Sequence, residues 1–146
     1  MGEEDFTFLV DWSAQEPWSV YLERLQAIRL GRELPPRWVP STFLAADARG
    51  ELVGRVSVRH RLNDFLASFG GHIGYGVLSR YRRRGYATEI LRQSLIIARA
   101  EGVDRVLVTC DEDNAGSATV IERLGGVLED IRPDPAGPAK RRYWIA

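Results

Sequence analysis

Arg82, Gly85 and Ala87 stand at Arg-x-x-Gly-x-Ala spacing, between an apolar run at 72–78 and a long amphipathic stretch. That placement predicts anion capture. A helix N-terminus leaves backbone N–H groups unpaired and carries partial positive charge. Gly85 has no side chain to block the approach to the backbone, and Ala87 is small for the same reason. Arg82, Arg83 and Arg84 add donors and charge at the rim. A diphosphate suits such a site better than a lone carboxylate. The alternative is a solvated basic helix start. No Gly-x-x-x-x-Gly-Lys-Ser/Thr loop and no three-glycine dinucleotide fingerprint occurs.

Other residues carry chemistry in principle. His72 opens a strand and titrates near neutrality, so it is a candidate base, directly or through water; the alternative is a strand-edge histidine that shapes the site. Arg59, His60, Arg61 and Asn63 form a cluster that would suit an acidic or carboxylate-bearing substrate, or equally a hydrogen-bonded loop anchor. Asp111-Glu112-Asp113 would attract a cationic amine, although a solvated acidic loop before a helix is favoured. Cys110 reads as a small buried residue rather than a nucleophile. Trp12, Trp18 and Trp38 read as core or lid packing and Trp144 as packing in the last strand. Lys140-Arg141-Arg142 reads as an exposed turn.

The elements that must position these groups follow from periodicity. Phe6 to Val10 is a short apolar run compatible with a strand. Trp18 to Leu30 has helical spacing, stopped at Gly31, and Pro35, Pro36 and Pro40 forbid regular structure beyond it. Thr42–Ala48 and Leu52–Val58 predict an antiparallel hairpin with Leu52, Gly54, Val56 and Val58 on one face. Arg59 to Gly71 reads as a loop with one helical turn at most. A strand at 72–78 leads to a helix from Gly85, with Ala87, Ile90, Leu91, Leu95 and Ala98 on one face and Gly102 at its end. Arg105–Cys110 reads as a central buried strand. Asn114 caps a helix carrying Ala118, Ile121 and Leu124, stopped by Gly125-Gly126. Val127–Ile131 and Arg142–Ile145 are the last strands, with a Pro/Gly loop at 133–138. The order β-β-β-α-β-α-β-β, with a helical preface, predicts a mixed sheet rather than a doubly wound parallel one.

Composition narrows the function classes. With 146 residues, 45% of them hydrophobic, one domain over 1–146 with a real core is expected. Twenty basic residues balance twenty acidic ones, which argues against a chain built to hold nucleic acid. One cysteine and two histidines exclude a disulfide framework and a convincing metal constellation, so no metal is expected. No membrane span or signal-peptide pattern is present, and a reducing cytoplasm is the expected compartment.

The run Gly71-His72-Ile73-Gly74-Tyr75-Gly76-Val77 through Tyr81-Arg82-Arg83-Arg84-Gly85-Tyr86-Ala87-Thr88 closely resembles motif A of the GCN5-related N-acetyltransferases, the GNAT family. Val106 to Cys110, then Asn114-Ala115-Gly116-Ser117, then Leu124-Gly125-Gly126-Val127, resembles their motif B. The resemblance covers roughly 42–146. It looks closest to a bacterial group of uncharacterised acetyltransferases sharing Arg59-His60-x-Leu62-Asn63 and the Gly-Gly-His-Ile-Gly-Tyr run. It implies an α/β (α+β) fold with a mixed, mostly antiparallel sheet, helices on both faces, and the strands at 72–78 and 105–110 (the family's fourth and fifth) splayed apart. Acetyl-CoA would enter that opening as acyl donor.

The resemblance assigns roles by position. The amides of residues 83 to 88, including Tyr86, Ala87 and the Thr88 hydroxyl, would hold the pyrophosphate. Backbone groups of Val77 and Leu78 would pair with the pantetheine arm, and an N–H there would polarise the thioester carbonyl. Asn114 and Ser117 would lie along the pantetheine and near the sulfur. A neutral amine would attack the thioester directly, on a small-molecule or peptide acceptor approached through loops 31–41 and 59–71. Homodimers are common in the resembling family. The tyrosine that many members carry seven residues after the motif B asparagine, as general acid, is Ile121 here. Ser117, Tyr75, Tyr143 or a water would replace it, or the thiolate would leave unassisted. The same substitution motivates the alternative of a non-catalytic acyl-CoA sensor.

Overall fold

Alternating apolar and polar residues make a hairpin of β1 (Ser41–Ala48) and β2 (Glu51–Arg59), closed by the turn at Arg49-Gly50. The molecule, a computed structural model, is described here at Ser13 and residues 15–146, so the expected strand at Phe6 to Val10 and Trp12 lie outside the described residues. Helix α1 (Trp18–Arg29) precedes the hairpin and packs on β1 through buried Tyr21 and Ile28. Trp18 is half exposed on α1, beside Tyr21 at 5.5 Å between rings, and is not a core residue.

β3 (Ile73–Val77), β4 (Val106–Asp111), β5 (Val127–Asp134) and β6 (Gly137–Ile145) complete a six-stranded sheet of order β1-β2-β3-β4-β6-β5. Among the described residues only the β3–β4 contact is parallel, and it consists of a single register pair, Ile73 with Val108. Beyond it the strands diverge, as the resemblance implies. Helix α2 (Tyr86–Ala100) lays Ile90, Leu91, Leu95 and Ala98 on Val56, Val58 and Ile73. Helix α3 (Ala115–Arg123) adds Ala118 and Ile121 over the same core. Each fully buried aliphatic side chain there stabilises the fold by about 1.5–3 kcal/mol.

The helical turn expected within 59–71 is present at 66–70 as a π-helical turn, in which the Gly71 N–H reaches the Leu66 carbonyl at 2.6 Å. Two local expectations differ from what is seen. β5 runs to Asp134 and β6 begins at Gly137, so most of the expected 133–138 loop is strand. The Lys140-Arg141-Arg142 run is not an exposed turn: it lies within β6, and Arg142 is buried against Glu129 and Asp130 while donating to the Ala67 carbonyl at 3.0 Å. Those two carboxylates, together with the carbonyl, provide the partners that a buried guanidinium requires.

Candidate active site

The divergence of β3 and β4 opens a cleft of about 920 Å3 that ends at the start of α2. Along it lie Tyr75, Gly76 and Val77 from β3, then Arg82, Arg83, Gly85, Ala87 and Thr88 from the turn into α2. Asn114 and Ser117 from α3 form the opposite wall. The structure thus brings together most residues of the sequence-predicted clamp. Arg84 and Tyr86 lie outside this lining. Arg80 and Arg84 stack on Tyr81, at 5.0 and 5.8 Å from its ring, and Tyr86 meets Tyr81 edge-on at 6.0 Å.

The turn itself is built for backbone approach. Gly85 is the N-cap residue of α2, with φ +84, and no side chain caps the helix there. Its first amides therefore have no side-chain acceptor, and a Cβ added at Gly85 would meet nothing within 4 Å. Arg83 also has a positive φ, 62°. Arg82 braces the turn by donating from Nε to the Val77 carbonyl at 3.0 Å.

Strand alternation decides which backbone groups face the cleft. The Arg59 N–H bonds the His72 carbonyl and the Leu78 N–H bonds the Val53 carbonyl, so Gly74, Gly76 and the Leu78 N–H face β2, while the His72 N–H turns to the Leu107 carbonyl on β4. Tyr75 and Val77 point theirs at the cleft. The Leu78 carbonyl accepts from the Tyr81 N–H at 2.9 Å, so the backbone of Leu78 is already engaged on both sides. Of the two sequence-predicted residues, only Val77 presents a group to the opening, its N–H, since its carbonyl accepts from Arg82; Tyr75 joins it.

On the cleft wall the Tyr75 hydroxyl lies 2.8 Å from Ser117 Oγ. Burial pushes the Tyr75 hydroxyl above its ordinary pKa, with the Ser117 hydrogen bond acting the other way. Asn114 caps α3 by accepting from the Ser117 N–H at 3.1 Å, which fixes Ser117 in place. Ile121 is fully buried in the core and reaches no cleft surface. Tyr143 is buried too, and its hydroxyl donates to Glu122 at 2.8 Å.

The other candidates separate. His72 is 6% exposed, and its Nδ1 accepts from the Leu107 N–H at 2.9 Å, tying β3 to β4. Burial, and then the nearby Arg59 charge, lowers its pKa to about 4. It does not line the cleft. His60 bonds the Thr42 hydroxyl at 2.8 Å and faces Glu101, which makes it a loop anchor. Asn63 holds the Arg37 carbonyl and the Leu66 N–H, both at 2.9 Å. Asp111 pairs with Lys140, and burial lifts the Cys110 thiol to about 11, so it stays protonated at neutral pH. Arg55, missed by the sequence reading, lines the cleft beside Gly76. The available signal was the alternation Arg55-x-Ser57-x-Arg59, opposite Gly76 and Gly74 in the register.

Among the described residues no group of three or more His, Cys, Asp or Glu is arranged to hold a metal ion, and no helix is long and apolar enough to cross a membrane. A family model described as "Acetyltransferase (GNAT) domain" matches residues 4–127. Over 74 residues the chain is 31% identical to the uncharacterised N-acetyltransferase YjdG of Bacillus subtilis, a stretch that covers 50% of this chain and 40% of that relative. Among solved structures, the acetyltransferase from Agrobacterium tumefaciens superposes with a TM-score of 0.61 at 21% identity, over 92% of this chain and 73% of that one. The yncA protein from Salmonella typhimurium, solved with its cofactor acetyl-CoA, gives 0.57 at 15% identity, over 86% and 68%. At these identities the structural likenesses speak for the fold.

Proposed function

Because the chain belongs to the GNAT acetyltransferase family, we propose that it transfers an acetyl group from acetyl-CoA to a primary amine, by direct attack within a ternary complex. The observation that carries this reading is the cleft between β3 and β4, with an uncapped helix start at one end and a paired hydroxyl on its wall. The donor suits it chemically. A pyrophosphate matches the free amides of residues 86 to 88, the Thr88 hydroxyl and the charges of Arg82 and Arg83. A pantetheine arm, with its amide groups, matches the cleft-facing backbone of Tyr75 and the Val77 N–H, the Val77 carbonyl being held by Arg82. That a structural neighbour was solved with acetyl-CoA supports the same donor.

In the proposed reaction the amine nitrogen bonds to the thioester carbon and the carbon–sulfur bond breaks. The proton lost from nitrogen goes to water, and the departing thiolate takes a proton from Tyr75, whose hydroxyl is re-protonated from solvent. An N–H on the open edge of β3 would stabilise the developing oxyanion. Tyr75 with Ser117 takes the place of the tyrosine that Ile121 replaces. His72 is not given the base role, because its ring is committed to the β3–β4 junction.

A thermal-shift series with acetyl-CoA, CoA, longer acyl-CoAs and ATP tests the donor. Stabilisation by the CoA compounds alone is expected, together with a loss of at least tenfold in acetyl-CoA affinity in a folded Gly85→Glu variant. Undiminished affinity in that variant would sink the clamp. Following free thiol with a broad panel of amines tests turnover, and binding without turnover would favour a sensor.

A further inference from the structure

The face of β2 opposite the core carries Arg55, Ser57 and Arg59. On β3 they stand beside Gly76 and Gly74, and on β1 beside Ala45, Phe43 and Ser41. Two glycines where side chains would otherwise stand leave this face open. The result is a second cavity of about 350 Å3, with an aromatic and aliphatic wall that includes Trp38, Phe43 and Phe65. Arg55 lines this cavity and also lines the cleft, so it stands between the two spaces.

Arg59 is the unusual group here. Its guanidinium lies over Gly74, where an added Cβ would come within 3.0 Å of Nη1. Nη1 donates to the carbonyls of Gly70 at 3.2 Å and Gly71 at 3.5 Å. Among the described residues no carboxylate stands within ion-pairing distance of it, in contrast to Arg142, which has two. A largely buried guanidinium held only by neutral carbonyls costs desolvation energy without a counter-charge. Burial, and then repulsion from Arg55, disfavours its charged form, so a negative charge brought into the cavity beside Arg59 would relieve that cost. An anion entering there gains a planar, charge-assisted pair in a water-poor setting. The volume suits an amino-acid-sized ligand.

We propose that this second cavity is the acceptor pocket and that its acceptor is a small amine that also carries a carboxylate, the carboxylate held by Arg59 and the amine passing Arg55 into the donor cleft. This rests on the acetyl-transfer reading above. The pocket's apolar wall favours acceptors with a hydrocarbon or aromatic part over fully polar ones.

Matched pairs test it: amino acids of increasing chain length, and aromatic amino acids, each against its carboxamide. The wild-type protein is followed by thiol release, and by melting shift with CoA present. At least one acid is expected to exceed its carboxamide by tenfold or more in kcat/KM. In Arg59→Met that preference should fall to near unity, through KM, while the melting shift given by acetyl-CoA alone persists. Should Arg59→Met fail to fold, the wild-type comparison still decides. No pair in which the acid surpasses the carboxamide, in rate or in melting shift, overturns the assignment. If acetyl-CoA itself gives no shift in the wild type, the donor reading has failed instead, so the two failures are distinct.

Discussion

The Tyr75 hydroxyl and Ser117 Oγ lie 2.8 Å apart across the cleft, joining β3 to the first turn of α3. Neither residue occupies the position at which the family resemblance expects its acid. Burial keeps Tyr75 protonated at neutral pH, which suits a donor to a departing thiolate. Tyr75→Phe is expected to lower kcat by roughly 100-fold. Acetyl-CoA affinity should stay within twofold. The wild type should lose activity on the alkaline side, where Tyr75 titrates above its ordinary value, and the variant should lack that limb. An unchanged kcat in Tyr75→Phe would mean that the thiolate leaves unassisted.

Restoring a tyrosine at 121 should not help. Ile121 is fully buried, and Gly126 packs against it so closely that an added Cβ there would fall 2.6 Å from Ile121 Cγ2. Ile121→Tyr is expected to destabilise the fold by about 1–3 kcal/mol through overpacking, with no gain in kcat. Denaturant melts and steady-state rates check both halves; a faster, equally stable variant would contradict the core assignment of residue 121.

His72 gives a pH signature to stability. Its folded pKa, about 4, lies below the unfolded value near 6.5. The unfolded chain therefore binds the proton first, so the His72 contribution is complete above pH 6.5 and is lost as pH falls toward 4. The loss is on the order of 2–3 kcal/mol. In His72→Gln the slope of unfolding free energy against pH over that window should flatten. A slope identical to wild type would show that other groups set it.

Gly71 is expected to be intolerant of any side chain. It has φ +70, and a Cβ would sit 2.7 Å from the Leu107 carbonyl oxygen. Gly71→Ala should cost about 3 kcal/mol in equilibrium unfolding. A cost below 0.5 kcal/mol would mean that the β3–β4 junction adapts more readily than its contacts indicate.

Elements whose identity is local were legible in the sequence. Helix α2 declared itself by the spacing of Ile90, Leu91, Leu95 and Ala98, and α3 by Asn114, whose cap is present. The β1–β2 hairpin followed from alternation. The ends of β5 and β6 were hidden by Pro133 and Pro138. Pro133 is tolerated on an edge strand, and Pro138 precedes Lys140, where the pairing of β6 with β4 begins. The buried role of Arg142 depends on Glu129 and Asp130 across the strand pair, which spacing alone does not reveal. In the same way Arg55 and Tyr75 gained their place from the register of β2 with β3. His72 and His60 were conspicuous by type, yet the fold engages both in holding segments together.

The single Ile73–Val108 pairing leaves the sheet with a seam. On one side lies the β1–β3 meander and on the other the β4–β6 group, with the His72 ring and its backbone as the stitch at the closed end. A donor arm laid along Tyr75 and Val77 would act as a borrowed strand, giving the ladder the rung it lacks. Loading the protein would then be an act of sheet completion. The amide protons of Tyr75 and Val77 should exchange freely before loading and slowly after it, and the two halves, loosely yoked when empty, should unfold together when full.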